Sequence, residues 1–459
     1  MRRKRLALLV LCAGAFMAVV DTTIVTIALP SVRRDLGFSG ADAQWILNGY
    51  ALAFGGLLLL FGRAGDLYGR RRLFLSGLAV FGVASLIGGL APSPWLLVAA
   101  RFLQGVGGAA LVPASLSLLT SVFAEGEERN RAVGVYGAMA ALGFVVGMVG
   151  GGVITELLGW RWVMFVNVPV ALVVLLLTPL ALPESRDAGA PGSLDVTGAA
   201  TATLGLAALI YAASEVPESG WTSPATLGFG STGVLLLAIF VANENRSTAP
   251  LVPPGVFRER AVVIPNAAIT LQSMVGIGWL YVLTLYFQEV LGHGPLTSGL
   301  LFAPMTAASV LAAPVAGRLT TRLGVRSTAA AGLALVGTGL LLMARMSEGE
   351  GLPLVLCGMV VGEFGFMLSN VPLTIAASGG ARGDERGLAA GLLNTSIQLG
   401  NAFGLAAVAT VAAAFGEELV VGLRWGLLLC VGIVVLALPT VLLGPRGKPA
   451  RKGPSTERG

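Results

Sequence analysis

The chain has 459 residues, 55% of them hydrophobic and 12% charged, with a formal net charge of +6 at pH 7. Soluble domains carry about 25% charged residues, so this content and a mean hydropathy of +0.83 exclude an ordinary soluble globule. The basic residues sit in short loops and tails rather than in a basic domain, which excludes nucleic-acid binding. Cys12, Cys357 and Cys430 fall in three separate apolar runs and His293, the single histidine, lies in a short loop. Neither a disulfide framework, a metal site nor a cofactor is therefore expected.

Long apolar runs without alternation predict membrane-spanning helices, since lipid leaves no other partner for backbone polar groups. Fourteen are expected, at 6–30, 44–62, 73–91, 95–122, 131–154, 161–182, 194–213, 225–242, 261–289, 296–317, 326–344, 352–377, 386–415 and 422–444. The 64 glycines suit close helix packing in lipid. The first run follows MRRKR and is too long for a signal peptide core, so it reads as an uncleaved span. With fourteen spans, 24 of the 30 basic residues fall on one side and five on the other, with Arg101 inside a span. By the positive-inside rule that places both termini in the cytoplasm. Removing both spans 7 and 8 keeps this orientation and gives a twelve-span alternative.

Taken in order, the first run is apolar until DTTIVTIALP, residues 21–30, where Asp21 stands in the span. A carboxylate there costs at least ~2.5 kcal/mol, so it faces a water-filled path or a partner. The alternative is local bonding to Thr22 and Thr23. Span 2 carries Asn48 and Tyr50. The loop after it, GRAGDLYGRRR, places Asp66 among four arginines with Gly62, Gly65 and Gly69 for tight turning. Its Arg residues alone would serve as a membrane anchor; the Gly spacing and the Asp call for more. Arg101 opens RFLQGVGGA in span 4. At 1.5 Å per residue it lies about 10 Å, and Asp21 about 13 Å, below the same surface, so the two are level and able to pair. Span 5 holds GFVVGMVGG, with Gly143, Gly147, Gly150 and Gly151.

In the second half, span 9 adds Asn266, Gln272, Trp279, Tyr281 and Tyr286. Aromatic walls with a few polar groups suit large, partly apolar ligands, while Tyr286, near the end of the span, reads as an interfacial aromatic. The loop GRLTTRLGVR, residues 317–326, repeats the first loop without its Asp, Thr321 standing near that place. Duplicated halves of this kind place a transport site between them. Span 12 holds Glu363 near mid-membrane; bonding to Asn370 or to a facing Ser or Thr is its structural alternative. Span 13 adds Asn394, Gln398 and Asn401. The stretch 445–459 is basic, contains Pro and Gly, and is expected to be disordered.

The first loop resembles the signature G-x-x-x-D-x-x-G-R-[RK] of the major facilitator superfamily. RFLQGVGGA is similar to a second motif of that superfamily, and GFVVGMVGG to the antiporter motif G-x-x-x-G-P-x-G-G, with Met148 in the place of Pro. GWRWVMFVNVPVAL, LYFQEVLGHGPLTSGLLFAP, GLLNTSIQLGNAFGLA and DTTIVTIALP resemble the fourteen-span drug/proton antiporter branch, where Thr26 is usually Asn. The resemblance implies an all-α integral membrane protein of 14 transmembrane helices. Six-helix bundles at 1–182 and 261–444 would flank two inserted helices within 183–260, with 445–459 as a cytoplasmic tail. Spans 1, 4, 9 and 12 would line a central cavity, and the glycines of span 5 would form a tight contact between the halves.

The resemblance further implies a conformational latch at Gly62, Asp66, Gly69, Arg70 and Arg71, and proton coupling at Asp21 and Arg101. Glu363 departs from the branch, which has a small residue there, and joins them as a second carboxylate. Asn48, Gln272, Trp279, Tyr281, Asn394 and Gln398 are the expected substrate-cavity residues. The expected activity is proton-coupled export of hydrophobic or amphipathic small molecules by a monomer in a bacterial plasma membrane. A metabolite- or amino-acid-specific carrier is the alternative. No nucleophile constellation or phosphate loop supports an enzyme.

Overall fold

The computed structural model describes residues 2–37, 45–184, 195–247, 259–347, 351–379, 386–415 and 418–443, together with Pro250, Val252, Gly255 and Val256. The expected tail at 445–459 and part of the connection between spans 6 and 7 lie outside these residues. Among the described residues the chain is helical, with no strand. The helices are α1 (Arg2–Leu36), α2 (Trp45–Tyr68), α3 (Arg70–Gly89), α4 (Pro94–Val122), α5 (Glu127–Leu157), α6 (Arg161–Phe165), α7 (Asn167–Ala181), α8 (Val196–Ser219), α9 (Pro224–Glu244) and α10 (Arg260–Leu285). A π-helical turn, Tyr286–Val290, follows α10. Then come α11 (Pro295–Leu301), α12 (Ala303–Leu323), α13 (Val325–Met343), α14 (Leu352–Gly379), α15 (Arg386–Ala413) and α16 (Leu419–Leu443).

Thirteen described spans are long and apolar enough to cross a membrane, with α6–α7 and α11–α12 each counting as one. The fourteenth expected span is α8. Thr197–Ala213 is an apolar stretch within it, and Glu215 and Ser219 stand in its last turns. The helix itself has 24 residues, about 36 Å at 1.5 Å rise. It packs on α9, α2 and α15. Its length therefore suits a span.

Two large apolar cores divide the chain. One is built mainly from α1–α7 and centres on Phe74, Leu78, Phe81 and Leu111. The other draws almost wholly on α10–α16 and centres on Trp279, Val336, Leu340 and Leu427. Matched close approaches hold them. A Cβ on Gly77 of α3 would lie 2.7 Å from the Gly107 carbonyl of α4. A Cβ on Gly358 of α14 would lie 2.7 Å from the Gly339 carbonyl of α13. Without side chains there, backbones meet directly and dispersion contacts replace the missing hydrophobic drive in lipid.

Tyr286 departs from its expected interfacial place. It is fully buried at the start of the π turn, and its hydroxyl donates to the Ser347 carbonyl at 3.0 Å. On the face opposite the Arg-rich loops, Asp35 accepts from Trp160 Nε1 at 2.9 Å and Arg161 Nη1 at 2.6 Å. Those two bonds hold its carboxyl below the usual carboxylate range.

Introducing Val at Gly77 or Gly358 is expected to destabilise the protein by about 1–3 kcal/mol through overpacking. Thermal denaturation in detergent followed by size exclusion checks this, with Gly228→Val as the neutral control, since nothing lies within 4 Å of a Cβ there.

Candidate functional site: two buried carboxylates and an inter-half latch

Asp21 lies in the middle of α1 with none of its surface exposed. Thr22 and Thr23 do not serve it; they donate to the Ala18 and Val19 carbonyls. Instead Arg101 Nη1 from α4 donates to Oδ2 at 2.5 Å. Oδ1 accepts from Gln104 Nε2 at 3.0 Å and from Asn167 Nδ2 of α7 at 2.7 Å. Gln104 also donates to Ser85 Oγ of α3 at 2.7 Å, and its Oε1 accepts from Arg101 Nη1 at 2.8 Å. Arg101 Nε donates to the Ile46 carbonyl of α2 at 3.1 Å, and its guanidinium stands over the Tyr50 ring at 4.6 Å. Arg101 Nη2 is buried without a hydrogen-bond partner.

The network thus joins α1, α2, α3, α4 and α7 around one ion pair. Losing one member of a buried pair strands the other charge at a cost of about 3–5 kcal/mol. A change in the charge of Asp21 would therefore be felt by five helices at once. Gln104 and Asn167 were not singled out from the sequence. Their signal was an amide inside an apolar run, with Gln104 one helical turn from Arg101 and so on its face.

Helix α5 grips the stretch of α1 that carries Asp21. A Cβ on Gly143 would lie 3.2 Å from the Phe16 carbonyl, one on Gly147 2.8 Å from Thr23 Cβ, and one on Gly151 2.9 Å from Ile24 Cγ1. The expected contact between the halves is corrected here. These glycines repeat every four residues, so they form one stripe, and that stripe faces α1 of the same half. Gly150 falls off the stripe and has nothing within 4 Å.

Glu363 of α14 is buried and accepts from Ser309 Oγ of α12 at 2.7 Å. A facing Ser is thus its partner, and no described salt bridge reaches it. The next residue back, Gly362, lets Trp279 of α10 come close; a Cβ there would lie 2.7 Å from Trp279 Cζ3. Trp279 also packs on Phe366, with ring centroids 5.8 Å apart. Gln272 is turned into α14, donating to the Phe366 carbonyl at 2.8 Å and Ser369 Oγ at 2.7 Å, with its Oε1 buried and unpaired. Asn394 donates to the Ala390 carbonyl of its own helix at 2.9 Å. Asn48, Tyr281 and Gln398 are half-buried. Gln398 faces α2 beside Gly55.

The expected loop GRAGDLYGRRR is helical except at Gly69, forming the end of α2 and the start of α3, and it reaches across the halves. Asp66 Oδ1 accepts from Arg70 Nε at 3.0 Å and Nη2 at 2.8 Å. Its Oδ2 accepts the backbone N–H of Leu388 at 3.0 Å, in the first turn of α15. A carboxylate at a helix N-terminus is favoured by the exposed N–H groups and the helix dipole. Gly62 lies at the same crossing, 3.3 Å from a Cβ placed on Gly391. Gly69 has φ +106° and leaves room for Glu184, which a Cβ would approach to 2.7 Å. Arg71 donates to the Leu182 carbonyl at 3.1 Å and pairs with Glu184, as does Arg72.

The second copy, the end of α12 and the start of α13 with Gly324 between them, works in the mirror sense. Thr321 Oγ1 accepts from Asn130 Nδ2 at 2.8 Å, and a Cβ on Gly317 would lie 2.8 Å from the Asn130 carbonyl. Asn130 stands in the first turn of α5. Each loop copy therefore docks at the start of a helix in the opposite half.

Residues 11–405 match the Major Facilitator Superfamily, and a second match covers 267–459. The cephamycin export protein of Amycolatopsis lactamdurans is 42% identical over 410 residues, covering 88% of this chain and 84% of that protein. The puromycin resistance protein of Streptomyces alboniger is 40% identical over 413 residues, covering 89% and 82%. The human organic anion transporter MFSD10 shares the fold, with a TM-score of 0.70 at 18% identity over 95% of this chain and 99% of that one. The chain belongs to the major facilitator superfamily of membrane transporters.

Proposed function

We propose that this protein is a proton-driven exporter of hydrophobic or amphipathic small molecules of antibiotic type, working by alternating access in a bacterial plasma membrane. The relatives named for cephamycin export and puromycin resistance support the cargo class. The observation that carries the coupling is the fully buried Asp21 bonded to Arg101, Gln104 and Asn167. Proton binding at Asp21 removes the charge that Arg101 compensates and loosens the five helices gathered around it. Glu363 has one hydroxyl donor and no salt-bridge partner among the described residues, which suits a second proton or a cationic cargo.

The Arg-rich face is the cytoplasmic one in this reading. The bonds from Asp66 to Leu388 and from Asn130 to Thr321 hold that face closed. Opening it breaks both, and the two loop copies act as paired latches. The half-buried Asn48, Tyr281, Asn394 and Gln398 remain the polar groups for cargo.

Asp21→Asn in proteoliposomes is expected to lower pH-gradient-driven efflux at least tenfold and, because it strands the buried Arg101, to lower the melting temperature in detergent while the protein still elutes as a single folded species; coupled efflux at the wild-type rate would sink the assignment. Glu363→Gln is expected to lower efflux of cationic cargo more than that of neutral cargo, read from a matched pair of compounds. Asp66→Ala removes a charge-assisted bond worth about 1.5–3 kcal/mol, which is a ten- to hundredfold shift at about 1.4 kcal/mol per decade. Electron–electron distances between spin labels at residues 72 and 326 are expected to lengthen in that variant.

A further inference from the structure

Helices α13 and α16 pack side by side in the second half. Deep in the bundle they are in ordinary contact, with Val434 Cγ1 3.7 Å from a Cβ placed on Gly337. At the end away from the Arg-rich loops, the two frame a groove of about 370 Å³. Leu341, Ala344 and Arg345 line it from α13 and the turn after it, and Arg424, Trp425 and Leu428 line it from α16. Spacings of three and four keep each set on one face. The lining is layered by depth. α13 ends at Met343 and α16 begins at Leu419. Arg345 and Arg424 therefore stand at the mouth, and Leu341 and Leu428 lie about one turn further in.

The mouth is built, not merely charged. Arg424 Nε donates to the Met346 carbonyl at 2.8 Å, and its Nη2 donates to the same oxygen. Met346 is itself buried in the second-half core, and the next carbonyl, Ser347, accepts from Tyr286. The turn that carries Arg345 is thus fastened both from α16 and from the π turn. Arg345 is exposed and Arg424 half-buried. Trp425, exposed beside them, stacks on Phe415 with ring centroids 6.1 Å apart; such amphipathic rings sit at headgroup level. Basic residues are disfavoured on the outer side of a membrane protein, yet two of the five expected there share this one groove.

We propose that the α13–α16 groove is a binding site for an anionic phospholipid of the outer leaflet. Its phosphate lies between Arg345 and Arg424, and one acyl chain descends past Leu341 and Leu428. A guanidinium is a planar fork that matches phosphate oxygens, and basic pockets between membrane helices hold anionic headgroups. The groove's volume of about 370 Å³ falls in the ~300–1,000 Å³ range of small-ligand sites. A zwitterionic headgroup would bring its own cation towards two arginines, so the site discriminates by headgroup charge. Only the choice of leaflet rests on the orientation proposed above. Glu348, Glu350, Glu417 and Glu418 flank the groove in sequence. Pairing of the arginines with these carboxylates is the competing arrangement, and it predicts no preference for an anionic lipid.

The test uses the full chain in detergent with three probes: dioleoyl phosphatidylglycerol, dioleoyl phosphatidylcholine and glycerol phosphate. Binding is read by native mass spectrometry and by thermal melting. Phosphatidylglycerol is expected to stay bound at collision energies that strip phosphatidylcholine, and to raise the melting temperature where phosphatidylcholine does not. Arg345→Gln changes an exposed residue in a turn and is expected to weaken phosphatidylglycerol binding at least fivefold. Arg33→Gln makes the same charge change at an exposed residue in the last turn of α1 and is expected to leave binding within twofold. Ala344→Trp fills the groove without altering its charge and is expected to weaken binding at least fivefold. Should that variant fail to fold, Arg345→Gln against Arg33→Gln still decides. Equal retention of the two lipids, an equal loss in Arg33→Gln, undiminished binding in Arg345→Gln or in folded Ala344→Trp, or glycerol phosphate bound as tightly as the lipid would overturn the proposal.

Discussion

One buried ion pair sets the terms for the rest of the first half. Asp21 and Arg101 are both without exposed surface, and neither charge is tolerable in a bilayer without the other. Their bonds draw in Gln104, Asn167, Ser85 and the Ile46 carbonyl. Each of these sits on a different turn or helix, so the pair fixes how α1, α2, α3, α4 and α7 stand to one another. The glycine stripe of α5 completes the arrangement by closing on Val20, Thr23 and Ile24 beside the carboxylate. A group so placed is costly as pure architecture, because well-packed apolar residues hold helices as firmly as a buried pair. Its cost makes sense when its charge is meant to change.

The second half repeats the plan with different chemistry. Its α13–α14 glycine contact matches that of α3–α4, and its loop copy docks on α5 as the first docks on α15. The charges differ. Glu363 has one hydroxyl where Asp21 has a guanidinium and two amides. Thr321 offers a neutral oxygen where Asp66 offers a carboxylate. The halves are alike in how their backbones meet and unlike in what they would bind. That division fits a coupling role in the first half and a cargo or second-proton role in the second.

Much of this was legible in the sequence because lipid imposes a harsh rule on composition. The apolar runs became helices, and spans 7 and 8 were the least clear, the first because it is rich in Ala, Thr and Gly and the second because it begins with polar residues; they form α8 and α9, which pack on each other. The depth of Asp21 and Arg101 along their spans was enough to bring them level. The amides that complete the network were harder to read, since Gln104 and Asn167 carry no charge to mark them. The span-5 glycines show the limit of periodicity. Spacing of four defines a face but not the neighbour it meets, and that neighbour is α1 rather than the other half. Tyr286 shows the same limit: its place near the end of a span suggests an interfacial ring, but the structure packs it into the second-half core.

The central claim is that Asp21 exchanges a proton as the transporter works. Infrared difference spectroscopy of the reconstituted protein, recorded between neutral and acidic buffer and again on cargo addition, reads the carboxylic-acid carbonyl stretch directly. The account predicts an acid-band component that cargo diminishes and that is missing in Asp21→Asn but kept in Asp35→Asn and Glu363→Gln. An unchanged band in Asp21→Asn would contradict it.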